Sequence, residues 1–78
     1  DTCVKFKLYS HQDYRLEENE TIIEELENHV IIQGRYFNEF IAVQRMLSFG
    51  PDCIIEEPSK IKNTVISKLK EMRSVYVK

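Results

Sequence analysis

The sequence predicts an α+β domain with the ferredoxin-like order βαββαβ, its first helix short or irregular, followed by an additional C-terminal helix. Three observations lead there. Val4, Phe6 and Leu8 alternate with Lys5 and Lys7, the period-two pattern of a strand with one buried and one wet face. Two further β-type runs, Thr21–Leu26 and His29–Phe37, flank the turn-forming pair Glu27-Asn28 and read as a hairpin. Residues 38–58 then read as a helix, a hard stop, a short strand and the start of a second helix.

Each element has its own warrant. Ser10 to Glu18 is polar, with Tyr14 and Leu16 its only apolar pair, so a stunted helix or loop is expected where the first helix should stand. Gly34 inside a strand marks a bulge or a close backbone approach. Asn38 is a good helix N-cap, and Glu39 in the first turn favours the helix dipole. Phe40, Val43, Met46 and Leu47 follow at helical spacing. Gly50 supplies the left-handed residue that ends many helices, and Pro51 forbids continuation. Cys53-Ile54-Ile55 is a brief strand. Ser59 is expected to cap the last helix, where Ile61, Val65, Leu69, Met72 and Tyr76 form one stripe. That stripe predicts a core element. The expected sheet order is 4-1-3-2, with the strands at Cys3–Tyr9 and His29–Phe37 in the middle.

With 78 residues the chain forms one domain with a modest core. Its beginning at Asp1-Thr2-Cys3, directly before a strand and without an initiator Met, suggests a domain from a longer polypeptide. No apolar run approaches a membrane span, and no signal-peptide pattern is present, so a cytoplasmic location and no membrane partner are expected. Cys3 and Cys53 should sit at opposite ends of neighbouring strands, as free thiols. The net charge of −2 gives no general attraction to nucleic acid. Its distribution is uneven. Six glutamates crowd residues 17–27, with no Lys or Arg among them, while residues 58–78 hold six cations against Glu71 alone. The two runs either face each other as solvated surfaces or offer one face to a partner or anionic ligand.

Little in the chain promises catalysis, and no cofactor, metal or enzyme activity is expected. His11 and His29 lack partners at metal-ligand spacing. Neither cysteine has a sequence neighbour that would activate it, and two glycines make no phosphate loop. A sheet that binds RNA carries exposed aromatics on its central strands. Here Lys5, Lys7, Ile31, Gln33 and Arg35 face outward, and stacking rings are missing unless Tyr9 or Phe37 serves. Ile23 and Ile31 admit two readings: they mark a protein-binding surface on the open sheet face, or the register is shifted by one residue and they belong to the core.

The run Met46-Leu47-Ser48-Phe49-Gly50-Pro51-Asp52-Cys53-Ile54-Ile55-Glu56-Glu57-Pro58, followed by Ile61-Lys62 and a basic helix ending at Tyr76, resembles the C-terminal extension (WCX) of WYL-domain transcriptional regulators. The likeness covers about Phe37 to Tyr76, and the preceding strand and hairpin fit its order. It departs over Ser10–Asn19, where relatives carry a fuller helix. The resemblance implies a non-catalytic regulatory and oligomerisation module of a bacterial helix-turn-helix regulator. Its partners would be a sister WYL domain or a second protomer, with a nucleotide or single-stranded nucleic acid as a shared effector. The chain has no Trp and no DNA-reading helix, so sequence-specific DNA binding is expected elsewhere in the parent protein. The surface expected to meet a partner or effector comprises Ile23, Ile31, Arg35, Lys60, Lys62 and Lys68. A second reading is a stand-alone ferredoxin-like domain that binds a small molecule.

Overall fold

A computed structural model describes residues 1–77. Four antiparallel strands form one sheet: β1 (Thr2–Tyr9), β2 (Glu20–Glu25), β3 (His29–Tyr36) and β4 (Cys53–Glu57), in the order β2-β3-β1-β4. Two helices complete the fold, α1 (Glu39–Ser48) and α2 (Ser59–Tyr76). The molecule is thus a small α+β domain with β1 and β3 in the centre of its sheet. No helix among the described residues is long and apolar enough to cross a membrane.

The register fixes the two faces. Val4 pairs with Gly34, Phe6 with Ile32 and Leu8 with Val30, and Phe6 also pairs with Ile55. Directly opposed residues point the same way, so these side chains form one apolar face. Val4, Phe6, Leu8 and Ile32 are completely buried there, under Ala42, Val43 and Met46 of α1 and Ile61 of α2. The Phe6 and Phe49 rings meet at 5.3 Å between centroids. Cys3, Lys5 and Lys7 pair with Arg35, Gln33 and Ile31 on the opposite face, which no helix covers. Both edges are irregular: Ile23 is squeezed out between the pairs Ile22–Ile32 and Glu24–Ile31, and β4 slips beside Lys5 and Phe6. Such bulges and the edge glutamates oppose strand addition.

Local signals are placed as the residues dictate. Asn38 Oδ1 accepts the Ile41 N–H at 2.8 Å and caps α1. Gly50 has φ of +60° and opens a short 3₁₀ turn, Gly50–Asp52, before β4. Gly34 answers to a close approach of a side chain: a Cβ there would overlap the Tyr36 ring, which lies across it. One local expectation needs correction. Pro58, not Ser59, stands at the N-cap of α2, and Ser59 is the first helical residue. The stretch after β1 holds only a 3₁₀ turn, His11–Asp13, and then runs irregularly to β2.

The larger correction concerns α2. Only its first two turns belong to the core: Ile61 is 1% exposed and Val65 packs against the core cluster. Leu69 is 51% exposed, Met72 47% and Tyr76 84%. The apolar stripe is real, but α1 is eight residues shorter than α2 and the helix outruns everything that would cover it.

Candidate functional site

The six residues singled out from the sequence do not converge. Arg35 lies on the open sheet face, its Nε 4.0 Å from Asp1 Oδ2 in an exposed and therefore weak pair. Lys60, Lys62 and Lys68 are on α2, in the layer on the other side of the sheet. Lys60 Nζ meets Glu39 at 2.9 Å and ties the start of α2 to the start of α1. Lys68 Nζ lies 3.7 Å from Glu71, and Lys62 makes no ion pair among the described residues. Lys78, counted with the basic end, lies outside the described residues. Ile23, in the β2 bulge, is exposed. Ile31 is corrected: its register puts it on the open face, but it is 6% exposed and offers a partner almost nothing. Its row across the sheet is Glu24, Ile31, Lys7 and Ile54, so long aliphatic stems flank it.

What the fold does assemble lies on both flanks of α2. Between α1 and α2 runs an open groove of about 690 Å³, with Phe40, Val43, Leu47 and Met72 as its apolar lining and Glu39 and Lys68 beside them. Between α2 and β4 lies a smaller recess of about 200 Å³, lined by Met46, Cys53, Ile55, Val65 and Leu69, with Lys62 at its edge. Leu69 and Met72 belong to the exposed stripe as well as to these linings, and Val75 and Tyr76 continue it beyond both. The charges are segregated too. The acidic run lies along β2 and its turn, at one edge of the sheet, while the basic α2 packs beside β4 at the other. They do not face each other.

A second cluster escaped the sequence reading. Glu20, one of the six crowded glutamates, has a side chain with no solvent exposure at all. It pairs with Gly34 on the core face of the sheet edge. Its Oε2 accepts from the Tyr36 hydroxyl at 2.6 Å and from Arg45 Nε at 2.9 Å; its Oε1 accepts from Arg45 Nη2 at 2.8 Å and from the Glu17 N–H at 2.9 Å. Burial alone pushes the Glu20 carboxyl up, but the hydrogen bonds from Arg45, Tyr36 and Glu17 outweigh it and hold the carboxyl below its ordinary value. The same hydrogen bond holds the Arg45 guanidinium firmly charged. Burial, then the bond to Glu20, raises the Tyr36 phenol. Arg45 also donates to the Arg15 carbonyl at 3.0 Å and lies 4.4 Å over the Phe49 ring. Tyr14 packs edge-on against Phe49, and its one hydroxyl hydrogen is shared between two acceptors, the Phe49 carbonyl at 2.9 Å and Asp52 Oδ2 at 2.5 Å. This network pins residues 14–20 over the sheet edge that a regular helix would otherwise cover. Every member has a structural partner, so the cluster presents no free group for chemistry. No sequence pattern singled it out: the run Glu20–Glu25 does not alternate, and only the pairing of Glu20 with Gly34 turns it to the core face.

Burial pushes the Cys53 thiol up to about 12, which suppresses the thiolate. Among the described residues, no group of three His, Cys, Asp or Glu side chains could hold a metal ion. No protein-family model matches this chain, and no curated protein matches it.

Proposed function

We propose that this chain is a non-catalytic regulatory and oligomerisation module of a bacterial transcriptional regulator, of the WYL C-terminal-extension type, with a ferredoxin-like fold. One observation carries the reading: the distal half of α2 keeps an apolar stripe in water, beside an apolar groove. Solvent-facing apolar stripes of this extent mark surfaces that a partner covers. The stretch from about Phe37 to Tyr76, which the family resemblance covers, is the part of the chain that builds this surface: α1, the Gly50 stop, β4 and α2. The strand order β2-β3-β1-β4 is compatible with a ferredoxin-like sheet, the pinned irregular segment standing in for its first helix. The partner on this reading is a sister WYL domain or a second protomer in the cytoplasm. A nucleotide or single-stranded nucleic acid would meet Lys60, Lys62 and Lys68 rather than Arg35, which faces away from them.

The α1–α2 groove also favours the second reading, a small-molecule-binding regulatory domain. Its volume of about 690 Å³ falls within the range of ligand clefts, and its apolar side chains stand beside polar Gln44, Ser48 and Thr64, one cation and one carboxylate. A titration with duplex and single-stranded DNA at about 0.15 M salt, where screening is physiological, tests the main reading. The expected result is weak duplex binding without sequence preference. Tight, sequence-selective duplex binding would move DNA recognition into this chain and refute the assembly role.

A further inference from the structure

We propose that the distal half of α2 docks on the β2–β3 turn of a second copy of this chain, in a two-fold, end-to-end dimer. The inference rests on the assembly reading above and specifies which surfaces assemble. Both lie at one end of the sheet. Register places Tyr9, Glu25, His29 and Cys53 together at that end. Leu69 shares the recess beside α2 with Gly50 and Cys53, so it reaches the same level. From Leu69 to Tyr76 the helix then continues for about 10 Å at 1.5 Å per residue, past the end of α1.

The two surfaces are complementary in both respects that matter. On α2, exposed Leu69, Met72 and Val75 stand among the cations Lys70 and Arg73. At the turn, exposed Ile23 and Leu26 stand among Glu24, Glu25 and Glu27, none of which has an ion pair among the described residues. Within one chain these surfaces cannot meet. β2 and β4 are opposite edges, separated by three strand spacings, about 14 Å. A two-fold axis perpendicular to the sheet at this end reverses the partner's strand order. It brings the partner's β2 turn under the overhanging α2 and, by the same operation, the first chain's turn under the partner's α2. The contact is isologous and closes at two copies. A seam between two α2 helices is the weaker alternative. It sets Lys68, Lys70 and Arg73 against their own copies, with Glu71 as the lone counter-charge on each helix.

Charge reversal tests the pairing on the 78-residue chain by sedimentation equilibrium. The variants are Lys70→Glu with Arg73→Glu, and Glu25→Lys with Glu27→Lys, all at exposed positions. Each double variant alone should raise the dimer dissociation constant by at least about tenfold over the unmodified chain, because both contacts become like-charged. An equimolar mixture of the two should recover the dimer, because in the mixed pair both contacts again join opposite charges. Variants that dimerise like the unmodified chain, or a mixture that stays monomeric, would overturn this interface and leave the assembly reading intact. An unmodified chain that stays monomeric at millimolar concentration would overturn the dimer and remove the second protomer as the partner of the assembly reading, leaving only a sister domain.

Discussion

Glu20→Gln is the sharpest perturbation of this fold, because the substitution keeps the volume and removes only the charge and one acceptor. The carboxylate accepts four hydrogen bonds, two on each oxygen. A glutamine amide has one oxygen, so its NH₂ must confront two donors whichever way it turns. One orientation faces Arg45 Nε and the Tyr36 hydroxyl, the other Arg45 Nη2 and the Glu17 N–H. The Tyr36 hydroxyl can rotate to accept; the arginine and backbone N–H groups cannot. One lost charge-assisted bond at roughly 1.5–3 kcal/mol, plus a guanidinium left in a site where it is 18% exposed without its counter-charge, gives a loss of about 3 kcal/mol. A domain of this length has roughly 4–12 kcal/mol in total, so the midpoint of urea unfolding, followed by circular dichroism at neutral pH, should fall sharply. Tyr36→Phe removes the 2.6 Å bond alone and should cost about 1 kcal/mol. The pH dependence follows with a definite sign. The Glu20 carboxyl titrates below its ordinary value of 4.5 when folded. Its contribution is therefore complete above the unfolded-state value and is lost as pH falls through the lowered folded one. The variant should unfold in acid with a visibly flatter slope. A loss under about 1 kcal/mol at neutral pH, within the ordinary scatter of surface changes, would refute the account of Glu20 as the anchor of residues 14–20.

Three further outcomes are expected. Ile61→Ala, at a site 1% exposed, should cost about 2–5 kcal/mol, whereas Leu69→Ala, 51% exposed, should leave the monomer within about 0.5 kcal/mol; urea midpoints of the two variants at low protein concentration compare them directly. Gly34→Ala should destabilise by about 1–3 kcal/mol, since its Cβ displaces the Tyr36 ring, and the loss should shrink in a Tyr36→Ala background. Both cysteines are free, and a disulfide exchange reagent at neutral pH should modify exposed Cys3 quickly and partly buried Cys53, whose thiol is pushed up to about 12, much more slowly.

The comparison of sequence and structure turns on what a pattern can encode. Alternation in β1 and the Asn38 and Gly50 signals are local, and the chain obeys them. An i, i+4 stripe on α2 is equally legible, yet a stripe states only that a face is apolar. Whether it is covered depends on the length of α1 and the position of β4, which no residue of α2 records. Hence Ile61 and Val65 are core, while Leu69 and Met72, identical in pattern, are not. The same limit hid Glu20 among its neighbours. Six glutamates in eleven residues read as one solvated face, but a strand turns alternate residues to opposite sides, and Glu20 alone meets a guanidinium 25 residues away and a phenol 16 residues away. Ile31 shows the converse: its face was read from the register, but its burial depends on the long side chains of Lys7 and Glu24 beside it.

The misreadings of Glu20 and of α2 share one physical cause, and it bears on function. The network around Glu20 and the bare end of α2 are two answers to the same shortage of helix. Where a regular first helix is missing, the sheet edge is closed by a polar network and two rings, Tyr14 and Phe49, contributed from within the chain. That network is fully satisfied, so residues 14–20 need no further cover over this edge. At the opposite edge the shortage is left open: α2 extends an apolar, cationic face that nothing in the described chain satisfies. A domain of 78 residues has little stability to spare, and its apolar side chains are better used inside than in water. On the assembly reading proposed above, a partner covers Leu69, Met72 and Val75, and the cations around them would set the chemistry of that partner: an apolar surface rimmed with carboxylates.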